Sequence, residues 1–299
     1  MATQVANRLL KPEVLARLGT LDLIARTVVD GVTTGLHRSP YFGFSQEFAE
    51  YRAYNEGDDL RYVDWNVYAR TDRTYIKRFE GETNTAVTLL LDTSASMGFG
   101  TPVSKLQQAQ YLVASLAYIT RKQHDALGLA IFDETVSQFL APSGRPDSLS
   151  RALGVLEQVE ATAGTDILEA LTSLRVSMTR RGLVIVVSDL YANPEDLLSA
   201  LQPLAHSGQD IAVFHVLDQE ELTPSLKRIS ALRDLETDES VIVDPVFLKS
   251  DYKDKIAAHC ESVEQACRRL GADYTRVLTS DPLDAALQSY LSFRERRGR

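Results

Sequence analysis

The sequence predicts an α/β protein: a doubly wound, mostly parallel sheet with helices on both faces, plus a small N-terminal β-rich subdomain preceded by a helix. Three observations carry this. From residue 86 to the C-terminus, short apolar runs alternate with helix-length segments, the pattern of a parallel sheet covered on both faces. Residues 31–85 have a different texture, dense in Tyr, Phe, Arg and Asp, which fits short strands and turns. Within residues 1–30, Leu15, Leu18, Leu21, Ile24 and Val28 recur at helical spacing, and Gly31 ends the pattern.

The elements follow in order. Strands are expected at Gln46–Tyr54 and Tyr75–Glu80, with a turn at Asn55–Asp58 between them. Ala86–Leu91 is apolar apart from Thr88 and runs into Asp92, as a buried parallel strand would. A helix over Ser104–Lys122, strands at Ala126–Phe132 and Val136–Leu140, and helices over Asp147–Val159 and Asp166–Met178 come next. Leu183–Val187 is the most apolar strand and precedes Ser188 and Asp189; a helix over Pro194–His206 leads to the strand Ile211–Leu217. Ile229–Asp234 and Ser240–Val243 read as a hairpin inserted at about 221–245. A helix over Val246–Leu270, a strand at Asp273–Val277 and a helix over Leu283–Arg294 complete the domain 86–299.

Composition narrows the function. The 299 residues are 44% hydrophobic and 24% charged, a globular profile. The net charge of −9 argues against nucleic-acid binding, which needs clustered cations; the Arg-rich end at Arg294–Arg299 reads as a solvated helix end. Cys260 and Cys267 are seven residues apart in one helix, about 10.5 Å of rise, too far for a disulfide within it. No run of ~18 apolar residues and no secretory pattern at Met1–Leu10 is seen. A reducing, cytoplasmic setting with no membrane span is expected.

In open α/β sheets the functional crevice lies at the carboxyl ends of the strands. There the sequence places Asp92-Thr93-Ser94-Ala95-Ser96, a D-x-S-x-S loop of one carboxylate and two hydroxyls. Hard oxygen donors suit Mg²⁺ or Mn²⁺ rather than zinc. Thr165, in Gly164-Thr165-Asp166 before a helix, and Asp189, after the next buried strand, can join them. Ser94 and Ser96 acting only as helix caps is the alternative. The glycine-rich loops of Rossmann and P-loop proteins and the G-x-S-x-G of α/β-hydrolases are missing. His37, His124, His206, His215 and His259 are scattered and read as surface or helix-end residues.

These residues resemble the metal-ion-dependent adhesion site of the von Willebrand factor A domain, whose pattern Asp92, Ser94, Ser96, Thr165 and Asp189 match. The resemblance implies direct coordination by Ser94, Ser96 and Thr165, water-mediated roles for Asp92 and Asp189, and an open position for a partner's carboxylate. The preceding block carries Arg52, Tyr54, Gly57, Asp58, Asp59, Arg61, Asp64 and Trp65. Set directly before such a strand, it looks like the bacterial domain-of-unknown-function-58 family. That resemblance implies an adaptor or co-chaperone of a MoxR-type AAA+ ATPase or its client; the hydrophobic N-terminal helices of many members are not seen here. Physically, the block reads as an ion-pair network with Trp65 packed beneath it.

A non-enzymatic, metal-dependent interaction module is therefore expected. The alternatives are a metal-dependent hydrolase on the same cluster and a scaffold with an empty site. A hydrolase would need a base, and no His or Lys lies beside Asp92 or Asp189 in sequence.

Overall fold

The computed structural model describes residues 12–17, 19–36, 48–54, 63–79, 85–162, 164, 166–178, 180–224, 230–233, 240–243 and 252–297. The chain forms two compact units, one of residues 1–38 and 85–299, the other of residues 39–84. The expected turn at Asn55–Asp58 and the signature residues Gly57, Asp58, Asp59 and Arg61 lie outside the described residues.

In the larger unit, α1 (Pro12–Leu15) and α2 (Leu21–Leu36) precede β3 (Ala86–Asp92), α4 (Lys105–Lys122), β4 (Ala126–Phe132) and β5 (Val136–Ser143). Then come α5 (Ser148–Leu156), α6 (Ile167–Ser177), β6 (Gly182–Ser188), α7 (Pro194–His206), β7 (Asp210–Leu217) and α8 (Gln219–Leu222). The hairpin β8 (Ser230–Arg233) and β9 (Ser240–Val243), α9 (Lys253–Arg269), β10 (Asp273–Leu278) and α10 (Asp284–Arg297) follow. The smaller unit holds β1 (Phe48–Ala53), α3 (Trp65–Thr71) and β2 (Tyr75–Phe79).

The sheet has six strands in the order β10-β7-β6-β3-β4-β5. All neighbours are parallel except β5, which pairs antiparallel with β4 at the edge. β3, β4 and β6 are buried over all but their first residue, as continuous apolar strands in a two-sided sheet must be. On one face Leu90, Phe132, Val184, Val186 and Val213 pack against Leu171 and Leu174 of α6, Leu201 and Leu204 of α7, and Val263 and Cys267 of α9. On the other, α4 crosses β3, β4, β6 and β7 and is covered by α2 and α10. α4 is therefore buried nearly all round, with Ala109, Leu112, Val113, Leu116 and Ala117 at 0% exposure.

Several boundaries differ from expectation. Gly31 does not end α2, which continues to Leu36; the cost of one helical glycine, about 1 kcal/mol, is small against the burial of Val28, Val29 and Val32. α2 packs on α4 within the larger unit rather than standing apart as a segment of residues 1–30. The expected hairpin is observed, with Ser230–Arg233 antiparallel to Ser240–Val243. The long helix begins at Lys253 and the two cysteines in it are free.

Within the smaller unit, β1 and β2 pair antiparallel, but the strand texture around Trp65 conceals a helix. Asp64 is its cap: the carboxylate accepts from the Val67 N–H at 3.2 Å. Trp65 is 59% exposed and meets Tyr68 edge to face, so it does not pack beneath the block as expected. A first-turn position on a short helix turns it toward solvent.

If α2 is integral to the core, Val28→Asp should destabilise the fold as Leu90→Ala does, since both residues are fully buried. A cavity at Leu90 costs about 2–5 kcal/mol, and a buried unpaired carboxylate a comparable amount. Urea midpoints check this; an unchanged midpoint for Val28→Asp would mark α2 as detachable.

Candidate functional site

The parallel strands β3 and β6 lie side by side and bring Asp92 and Asp189 near each other. β3 ends at Asp92, and the loop turns through Thr93 and Ser94 into a single 3₁₀ turn, Ala95–Gly98. Thr93 ties this loop to β4, its N–H and hydroxyl both donating to the Phe132 carbonyl, at 2.8 and 3.0 Å. Ser94 occupies the cap position of the 3₁₀ turn but makes no side-chain capping bond. Its hydroxyl lies 3.1 Å from that of Ser96, so the helix-cap alternative does not account for this pair.

Asp92 is fully buried. Its Oδ1 accepts from the Ser94 N–H at 2.9 Å, and its Oδ2 from the Ser188 hydroxyl at 2.5 Å. The Ser188 oxygen in turn accepts from the Leu190 N–H at 2.9 Å. That contact uses an unusual backbone: Leu190 has φ +52°, a left-handed conformation that leucine rarely adopts. Burial, reinforced by the nearby Asp189 charge, pushes the Asp92 carboxyl up to about 7, against the opposing pull of its hydrogen bonds.

Asp189, 1% exposed, takes a partner that sequence reasoning missed. Lys105 Nζ donates to Asp189 Oδ2 at 2.7 Å and to Glu221 Oε1 at 2.6 Å. The ammonium also lies 4.7 Å from the ring centre of Tyr191, a cation–π distance. Lys105 is the first residue of α4, placed by the Ser104–Gln107 capping box and by the tight loop before it. In that loop Gly100 has φ +119°, and a side chain there would meet the Val103 carbonyl at 2.8 Å. Glu221 is oriented by the Asp218 N–H, which donates to its Oε2 at 2.8 Å. The sequence signal available was a lysine on the first turn of a helix, where the helix dipole opposes it.

Asp166 caps α6, accepting from the Glu169 N–H at 2.9 Å, as expected of a helix-start carboxylate. Thr165 lies outside the described residues. On either side of it, Thr162 donates its N–H to Thr93 at 2.7 Å and Asp166 donates its N–H to Asp133 at 3.2 Å.

Beside the site on β7 sits His215, 0% exposed rather than at the surface as expected. Its Nδ1 pairs with the Tyr274 hydroxyl at 2.8 Å. Burial holds the ring down to about 4, outweighing the nearby Asp189 charge. His259 is also drawn inward, its Nε2 donating to the Leu190 carbonyl at 3.0 Å.

The donor set fits a small hard cation. Among the described residues no three His, Cys, Asp or Glu side chains converge on a metal position, so a cation here would rely on hydroxyl donors. Two oxygens in adjacent octahedral positions at 2.0–2.1 Å would be about 2.9 Å apart, close to the Ser94–Ser96 separation of 3.1 Å. A bound dication would hold Asp92 in its ionised form; with Asp189 and Glu221 ionised and Lys105 protonated, two negative charges would then complement the ion.

The burial of Asp92 has a pH signature. The folded-state value for Asp92 lies above its unfolded value of 3.8, at about 7, so the native state binds the proton more tightly. In EDTA, Asp92 should therefore make stability fall as pH rises from about 4 to about 7 and level off above. Asp92→Asn should remove that component; urea unfolding of both proteins across this range checks it, and parallel curves would contradict it.

Comparison with known proteins places the chain among relatives. The uncharacterized protein Rv1480 of Mycobacterium tuberculosis is 28% identical over 292 residues, covering 95% of this chain and 91% of its own. The uncharacterized protein Mb1516 of Mycobacterium bovis matches at the same level. Among solved structures, the conserved hypothetical protein BatB from Bacteroides thetaiotaomicron aligns with a TM-score of 0.48 and 20% identity, over 70% of this chain and 98% of that one. The SpRpn10 VWA domain aligns with a TM-score of 0.41 and 12% identity, over 69% and 94%. A family model matches residues 50–262, which take in the Asp92 loop, Asp189, Lys105 and Glu221, and by that match the chain belongs to the family described as protein of unknown function DUF58.

Proposed function

We propose that this protein is a non-enzymatic, divalent-cation-dependent interaction module that receives a carboxylate from a protein partner at the strand-end site. The observation that carries this reading is the Ser94–Ser96 hydroxyl pair, 3.1 Å apart beside the buried and incompletely neutralised Asp92. Ser94 and Ser96 would hold Mg²⁺ or Mn²⁺, with Thr165 as a third donor, while Asp92 and Asp189 supply compensating charge. The bound ion would supply a positive centre for an incoming carboxylate. Neutral hydroxyls suit that use, because they leave more of the ion's charge for the incoming group.

The surroundings support an interaction role. Phe99, which follows the Ser96 turn, is 37% exposed, and Tyr191, two residues beyond Asp189, is 42% exposed. Exposed aromatics beside a charge-binding centre match the composition of interface cores. We assign the partner as a MoxR-type AAA+ ATPase or its client, on the resemblance of the signature residues Arg52–Trp65 to the family, and place the protein in the cytoplasm on its two unpaired cysteines. Among the described residues no helix is long and apolar enough to cross a membrane.

A pull-down from host lysate tests the proposal, comparing wild type with Asp92→Ala, each in Mg²⁺ and in EDTA. An AAA+ ATPase retained only by wild type in Mg²⁺ is the expected result. Removing a charge that orients a metal site weakens ion binding by about 10–100-fold, so the variant should also lose Mg²⁺ binding by calorimetry. The same partners in all four conditions would overturn the reading.

A further inference from the structure

We infer that Lys105 sets the charge of the strand-end site: bridged between Asp189 and Glu221, its ammonium offsets one carboxylate and limits how tightly a dication is held. This rests on the reading of the site as a divalent-cation site.

Lys105 is at 0% exposure, and lysine is almost never fully buried unless paired. It stands where the positive end of α4 disfavours a cation, so its position goes against local preference. Such conflicts mark functional sites more than packing solutions. One carboxylate would suffice to neutralise it, yet two converge, at 2.7 and 2.6 Å. They come from separate elements, Asp189 from the end of β6 and Glu221 from α8. Glu221 is itself held by the Asp218 N–H at 2.8 Å, and the Tyr191 ring lies 4.7 Å from the ammonium. The ammonium is therefore a built part of the site.

The consequence is electrostatic. Where a bound dication keeps Asp92, Asp189 and Glu221 ionised, Lys105 leaves them with two negative charges, the complement of that ion. With a neutral residue in its place they carry three. A dication would then be held more tightly, but less of its charge would remain for a partner's carboxylate. Glu221 acts with the opposite sign, because its removal leaves the site one negative charge short.

Mn²⁺ titration of the full chain by calorimetry tests this, using wild type, K105M, E221Q and the double variant K105M/E221Q, with folding checked by circular dichroism. K105M should tighten Mn²⁺ binding by about tenfold or more, the effect of removing one like charge paired with a carboxylate of the site. E221Q should weaken it by a similar factor, and the double variant should return toward wild type. A strut with no electrostatic role predicts otherwise, since both single variants break the same bridge and would shift affinity in one direction; that result, or no change, overturns the inference. If K105M does not fold, E221Q decides: weaker binding supports the inference, and equal or tighter binding overturns it. Binding by K105M with none by wild type supports Lys105 as the restraining charge while overturning the interaction-module reading. No binding by any of the four overturns both.

Discussion

Charge placed out of reach of water must be balanced, and the strand-end crevice is organised by that requirement. Asp92, Asp189 and Lys105 are all at or near zero exposure. Isolated, each would cost several kcal/mol. Lys105 therefore joins Asp189 to Glu221, and this ion triad connects α4, the end of β6 and α8. Asp92 lacks such a counter-charge. It is satisfied by hydrogen bonds from Ser94 and Ser188, and burial drives it toward its neutral form. Two carboxylates at corresponding strand ends thus differ: Asp189 is paired with Lys105, and Asp92 is held by hydrogen bonds.

The sheet makes this division reproducible. Leu91 of β3 sits opposite Val187 of β6 in a parallel register, so Asp92 and Ser188 leave the sheet side by side. A one-residue slip would reverse the face of every apolar residue along β6, and would also part the Ser188 hydroxyl from Asp92. The left-handed Leu190 is part of the same device. It lets the chain turn sharply enough for its N–H to hold Ser188 and its carbonyl to receive His259. Backbone strain of about 1–3 kcal/mol is supported by a Leu190 side chain that is itself buried in the core.

What was legible in the sequence was local. Alternating apolar strands and helices announced the layered sheet, and Asp92, Ser94, Ser96 and Asp189 could be found because each follows directly from a strand end. Lys105 and Glu221 could not be found that way: they lie 84 and 32 residues from Asp189, and only the fold joins them. His124 and His206 are exposed as expected, but His215 misled for the same reason, because its burial on β7 depends on α9 and β10, which come later in the chain. Trp65 misled differently. An aromatic-rich texture reads as strand, but the Asp64 cap begins a helix there and leaves the indole in solvent.

The same geometry bears on catalysis. Hydrolysis through Ser94 or Ser96 would need a group able to take the hydroxyl proton. Lys105 Nζ donates to two carboxylates, Asp189 and Glu221. His215 is kept neutral by burial, yet its Nδ1 is engaged by Tyr274 and its basicity is lowered well below the ordinary range. Asp92 is already hydrogen-bonded on both oxygens. The Ser94 hydroxyl lies 3.1 Å from that of Ser96 and also hydrogen-bonds to the Asp92 carboxyl. Paired hydroxyls, a buried carboxylate pushed toward its neutral form and a lysine bridged between two carboxylates thus stand together at the strand ends, each already engaged by its neighbours.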